Sequence, residues 1–111
     1  MDNLNSPNSH GDTPMHLAAL GGYLDCLKLF VNYGCSVNHP DADGFSLPYM
    51  CAQEGHLDCL RYLVENNADI NLAHDKGVTP TFIAVQENKL DCLQFLGENG
   101  ADVNFGDVDG N

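Results

Sequence analysis

Apolar positions along the chain fall into two kinds of run, separated by turn residues, and the alternation returns every 33 residues. The first kind is short. It opens at Thr13-Pro14, runs through Met15, His16, Leu17, Ala18 and Ala19, and stops at Gly21-Gly22. A Thr hydroxyl can accept from a free amide of the first turn, Pro suits the first helical position, and glycine ends a helix by turning left-handed, so a short helix is predicted. The second kind starts near Leu24 and is apolar on most of its circumference, with Cys26, Leu27, Leu29, Phe30 and Val31. Only Asp25 and Lys28 form a narrow polar stripe. Such a helix is expected to be covered on both sides, with the stripe facing solvent. Asp58 with Arg61, and Asp91 with Gln94, continue that stripe one and two periods later. After each second helix comes a segment rich in Asp, Asn, Pro and Gly, at Asn38 to Gly44, Asn71 to Gly77 and Asn104 to Gly110, expected to project as hairpin tips.

The word Leu-Asp-Cys-Leu occurs at Leu24 to Leu27, Leu57 to Leu60 and Leu90 to Leu93, and Gly11, Gly44, Gly77 and Gly110 keep the same spacing. The chain is therefore an array. Its 111 residues divide into a lead over 1–7, repeats over 8–40, 41–73 and 74–106, and the start of a truncated fourth over 107–111. A helix pair of this size cannot bury its own apolar faces and is stable only when stacked on its neighbours. The core is expected to be built from Leu17, Leu24 and Leu27, then Leu57, Leu60 and Leu63, then Leu90, Leu93 and Leu96. Open apolar ends would favour end-to-end pairing of copies.

These residues resemble the ankyrin repeat family over nearly the whole chain. The first-helix signature appears as Thr13-Pro14-Met15-His16-Leu17-Ala18-Ala19, and the later one as Gly100-Ala101-Asp102-Val103-Asn104 and Asn67-Ala68-Asp69-Ile70-Asn71. The resemblance implies an all-α solenoid of stacked helix-turn-helix units with projecting β-hairpin or turn loops. Departures occur at Ser46-Leu47-Pro48-Tyr49, where the proline sits one place later, at Phe82, and at Gly97 inside a helix, where glycine costs about 1 kcal/mol relative to Ala.

Charge narrows the partners. Sixteen acidic residues stand against four basic ones, for a formal net charge of -12. Nucleic-acid backbones and anionic membrane surfaces would repel such a chain, whereas a basic protein or peptide would not. A hydrophobic content of 43% is too high for a disordered acidic tail, and no run approaches the roughly 18 apolar residues of a membrane span. Met1 is followed by a polar run rather than an apolar signal segment, and five cysteines without a Cys-x-x-Cys pair suit a reducing, intracellular compartment, cytoplasmic or nuclear.

Candidate chemistry is sparse. Cys26, Cys59 and Cys92 fall at equivalent positions, and Cys35 and Cys51 align with the alanines Ala101 and Ala18, so all five are expected to pack in the core. Asp41-x-Asp43-Gly44 and Asp107-x-Asp109-Gly110 lack the sixth-position Gly and twelfth-position Glu of a calcium loop and are expected to be turns. His10, His16, His39, His56 and His74 show no zinc spacing. No nucleophile has a base and an orienting partner, so neither catalysis nor a cofactor or metal is expected.

What remains is a protein-protein interaction module, or such a module serving as a segment of a larger enzyme or channel. The resemblance implies that partner-binding positions lie at the loop tips and the exposed side of the first helices. In the first repeat these are Asp12 and Leu20; in the second, Ala42, Asp43, Phe45, Gln53 and Glu54; in the third, Asp75, Lys76, Val78, Gln86 and Glu87. Phe45 and Val78 are expected to be exposed apolar anchors in an acidic surround. The resemblance also implies that Asn71 and Asn104 are candidates for an ankyrin-directed asparaginyl hydroxylase, because Leu63 and Asp69, and Leu96 and Asp102, stand eight and two residues before them. Asn38, preceded by Phe30 and Ser36, does not fit.

Overall fold

The computed structural model describes residues 13–41, 43–73 and 77–101. Among them are six helices and no strand. Helix α1 (Pro14–Gly21) pairs with α2 (Leu24–Asn32), α3 (Leu47–Glu54) with α4 (Leu57–Glu65), and α5 (Pro80–Gln86) with α6 (Leu90–Glu98).

Each first helix starts by the same device. Thr13, Ser46 and Thr79 occupy the N-cap in extended conformation, and their hydroxyls accept from the backbone N–H of His16, Tyr49 and Phe82 at 3.2, 3.1 and 3.2 Å. Pro48, one place later than its equivalents, still falls in the first turn, where its missing N–H breaks no helical bond. Helices α1 and α3 end at Gly22 and Gly55, both left-handed, with φ of 74° and 76°. At the equivalent place after α5 stands Asn88, φ 57°, the residue other than glycine best suited to that region.

The pairs stack so that α1, α3 and α5 form one row and α2, α4 and α6 another. Contact along the first row, the inner row from here on, is the more intimate. The polar stripe predicted for the second helices faces solvent, Asp25, Lys28, Asp58, Arg61, Asp91 and Gln94 all being exposed. Between them lies a continuous core containing Leu27, Leu47, Cys51, Leu60, Leu63 and Leu96.

Two expected core leucines are not in it. Leu17 is 44% exposed and Leu90 69%, and Cys26, expected to be packed, is exposed as well. The repeat itself explains this. Leu17 is equivalent to Met50 and Ile83, and Cys26 to Cys59 and Cys92, all four buried because a preceding helix pair covers them. Leu90 is equivalent to Leu24 and Leu57, which are partly buried under the following pair. Leu17 and Cys26 lie on the open face of the first described pair and Leu90 on that of the last, so an apolar residue is exposed wherever its neighbouring repeat is not among the described residues. Leu24, Leu57 and Leu93 are only partly buried, packed against the edge of the core.

Candidate partner-binding surface

The loop between α2 and α3 is built around Asp41. Its carboxylate Oδ1 accepts from the N–H groups of Asp43 and Phe45, both at 2.9 Å, while its own N–H donates to the Phe45 carbonyl at 2.9 Å. With only 9% of its surface exposed, Asp41 is a turn-forming side chain bonded to backbone amides. The turn carries Asp43 outward. Successive loops are joined through asparagine. Asn38 accepts from the Asp69 N–H at 2.8 Å and donates to the Asn67 carbonyl at 3.3 Å, and Asn71 donates to the Gly100 carbonyl at 3.5 Å.

On this frame the proposed contact residues separate into groups. Leu20, Asp43, Glu54, Gln86 and Glu87 are exposed, and Gln53 is half-buried. Phe45 and Val78, expected to stand out as anchors, are instead half-buried against the core. The Phe45 ring lies 4.8 Å from that of Tyr49, centroid to centroid, so the aromatic that follows the turn tucks back over α3 and leaves only part of itself to solvent. Asp12, Ala42, Asp75 and Lys76 lie outside the described residues, as does Asn104, whereas Asn71 is exposed.

Both rows expose more carboxylates than cations, the outer one through Asp25, Asp58, Glu65, Asp91 and Glu98. On the outer row, Lys28 Nζ sits 5.7 Å from the centroid of the Tyr62 ring and Arg61 Cζ sits 5.3 Å from that of Phe95, so each cation reaches over an aromatic of the next pair. Lys89 lays its aliphatic stem beside Gly55. The carboxylates of Asp43, Glu54 and Glu87 meanwhile stand exposed at the loop tip and at the ends of the inner helices. Burial raises the Tyr49 phenol above its ordinary value, and the Glu87 carboxylate adds to the effect.

The remaining chemistry-bearing groups are structural. Buried His16 shares a hydrogen bond between Nδ1 and the Thr13 hydroxyl, locking the first turn of α1. His56 Nε2 lies 3.0 Å from the Leu20 carbonyl, which requires that nitrogen to carry the proton and ties α4 to the end of α1. The hydrogen bond with Cys59 and burial push the Cys51 thiol well up, the same bond lowers Cys59, and burial raises Cys92, which favours the protonated form at Cys51 and Cys92. Among the described residues no three His, Cys, Asp or Glu side chains converge to hold a metal ion, and no helix is long and apolar enough to cross a membrane.

Sequence reasoning missed Tyr23, Leu29, Tyr33 and Val85, all large, apolar and exposed. Equivalence by position could have found Leu29 and Val85, since Leu29 corresponds to Tyr62 and Phe95, and Val85 to Ala19 and Ala52, all covered at least in part where a neighbouring pair exists. The family model for ankyrin repeats, three copies to the model, matches residues 1–74 and 40–107. No curated protein matches the chain.

Proposed function

The chain belongs to the ankyrin-repeat family, whose arrays are in general protein-protein interaction modules, and from that premise we propose a non-catalytic module that grips a protein or peptide along α1, α3, α5 and the adjoining loop tips. The observation that carries this reading is that the inner helices and the loop tip expose the carboxylates Asp43, Glu54 and Glu87 with no Lys or Arg among their described residues, whereas on the outer row Lys28 and Arg61 stand among the exposed Asp25, Asp58, Glu65, Asp91 and Glu98. A negative inner field selects a basic segment, and exposed Leu20 beside half-buried Phe45 offers it apolar contact. Acidic Asp12 and Asp75 belong to the same proposed surface, as do Ala42, Lys76 and Val78. The same surface would serve within a longer enzyme or channel, positioning chemistry supplied elsewhere. Five free thiols, four of them buried, support placement in the reducing cytoplasm or nucleus.

A Lys/Arg-rich peptide carrying one leucine is a suitable probe in stopped-flow fluorescence. The double variant Glu54→Lys/Glu87→Lys is expected to slow its association about tenfold at low ionic strength and to flatten the salt dependence. Phe45→Ala is expected mainly to speed dissociation, with circular dichroism separating that effect from loss of packing on Tyr49. Binding that ignores all three substitutions and barely responds to salt would place the interface elsewhere.

Exposure of Asn71 favours a second reading, as a hydroxylase substrate together with Asn104, although the Asn71 bond to Gly100 ranks a purely structural role first. After incubation with the asparaginyl hydroxylase, 2-oxoglutarate and iron, intact-mass spectrometry is expected to show an added oxygen atom if the substrate reading holds. An unchanged mass would leave the structural role alone.

A further inference from the structure

Asn99-Gly100 is the only Asn-Gly step in the chain, and the fold leaves its reacting atoms uncovered. Asn99 closes α6 and Asn66 closes α4 in nearly the same conformation, with φ and ψ of -107° and 22° against -104° and 25°. The residue after each second helix is left-handed, Gly34 and Gly100 at φ 89° and Asn67 at 71°. The hydrogen bonding differs. Gly34 and Asn67 donate their backbone N–H to the carbonyls of Val31 and Val64, both at 3.0 Å. Gly97 stands where those valines stand, and the Gly100 N–H meets no acceptor among the described residues. Asn99 and Gly100 are both exposed, and a Cβ at Gly100 would have nothing within 4 Å, so no neighbouring side chain shields the peptide nitrogen. That exposure does not depend on where the array stops, because Asn67, at the place of Gly100, is exposed with a pair stacked after it. We infer that Asn99 is a site of spontaneous modification by water, in which the Gly100 nitrogen closes on the Asn99 side-chain amide and the residue becomes aspartate or isoaspartate.

The reaction balances with water alone. Hydroxide takes the Gly100 N–H proton, the nitrogen bonds to Cγ of Asn99, the Cγ–Nδ2 bond breaks, and Nδ2 takes up a proton and leaves as ammonia. The product is a five-membered succinimide, closed between adjacent groups of one chain and favoured for that reason. Water then opens the ring at either carbonyl, giving aspartate where the original main chain is kept and isoaspartate where it runs through the side-chain carbon. A carbonyl partner holds back the proton that has to leave, as at Asn67, whereas at Gly100 no such bond has to break. Asn99 Nδ2 donates to the Phe95 carbonyl at 2.8 Å, so the ring closes when the last turn of α6 frays, an opening of low cost at a helix end. The product does not fit back. A carboxylate has no proton to donate to the Phe95 carbonyl, and it brings negative charge to the end of α6 where the helix dipole is already negative. Isoaspartate also lengthens the main chain by a carbon atom, displacing the Gly100 carbonyl that accepts from Asn71 at 3.5 Å and the Ala101 N–H that donates to Leu96 at 3.0 Å. The modification therefore loosens the third pair from the loop before it. None of these atoms belongs to the proposed contact surface, so this inference stands or falls independently of the proposed function.

Incubation of the full, folded chain in water enriched in heavy oxygen tests it, followed by digestion in ordinary water and peptide mapping with electron-transfer fragmentation. The peptide containing Asn99 is expected to exchange NH2 for OH, to carry the heavy label, to contain isoaspartate beside aspartate, and to convert faster as pH rises. The folded chain is expected to convert within about tenfold of its rate in urea, because a fraying helix end opens at little cost. Asn66, with its following N–H bonded, is expected to stay unconverted in the folded chain over the same period. Asn99→Gln, whose longer side chain would have to close a larger ring, is expected to abolish the change. Asn99→Asp is expected to unfold at lower urea than wild type, and equal midpoints would overturn the loosening of the third pair. Conversion of Asn99 in urea alone would overturn the inference, since the fold then protects the site. Aspartate without isoaspartate, or Asn66 converting as fast as Asn99, would overturn it equally.

Discussion

Leu60→Ala is expected to lower the free energy of unfolding by about 2 to 5 kcal/mol and to do so for the array as a whole. Leu60 is fully buried in α4, in the middle of the three helix pairs, with α2 on one side and α6 on the other. Removing its branched end leaves a void in the continuous core that the three pairs share. Stability in a stacked array is the sum of weak units and the interfaces between them, so damage to the middle unit weakens both interfaces at once. Leu90→Ala, the same substitution 69% exposed on the end face, is expected to change stability by no more than about 0.5 kcal/mol at concentrations where the chain is monomeric. Urea denaturation of the two variants beside wild type reads the contrast. Equal stability of Leu60→Ala and wild type would remove Leu60 from the core.

That contrast also marks the limit of what the sequence discloses. Local signals were legible: Thr13-Pro14 and Thr79-Pro80 open helices where they stand, Gly22 closes one, and Ser46 caps α3 even though its proline has moved one place. The polar stripe of the second helices was legible too, because its residues stay exposed in every pair, even where Lys28 and Arg61 reach over a ring of the next. Burial along the seams was not. Cys26, Cys59 and Cys92 occupy the same place in the same word, yet the first is exposed and the others buried, because each depends on whether a pair lies in front of it rather than on its own neighbours in sequence. The candidate surface shows the same division. Asp43, Glu54 and Glu87 are exposed, whereas Phe45, expected to stand out, turns back onto Tyr49 after the Asp41 turn.

Gly22→Ala is expected to cost about 2 to 3 kcal/mol, from two sources that can be separated. At φ 74° an L-residue loses roughly 1 to 2 kcal/mol relative to glycine. In addition, a Cβ at Gly22 would lie 2.6 Å from Nδ1 of the His56 ring, too close for that ring to stay where its Nε2 meets the Leu20 carbonyl. Displacing it forfeits a bond across the first seam worth about 1 kcal/mol. Gly55→Ala supplies the comparison: φ is 76°, but the nearest atoms are those of the flexible Lys89 stem, at 3.1 Å, which can move aside, so only the conformational cost is expected. At Asn88 the same position already carries a side chain, and no pair follows it among the described residues. The double variant Gly22→Ala/His56→Ala is expected to be less destabilised than the sum of its singles, since the shortened side chain no longer meets the new methyl. Thermal and urea unfolding of the four variants give the coupling. Equal losses at Gly22 and Gly55, with additive behaviour of the double variant, would mean that the seam at His56 yields freely and that Gly22 is needed for its backbone conformation alone.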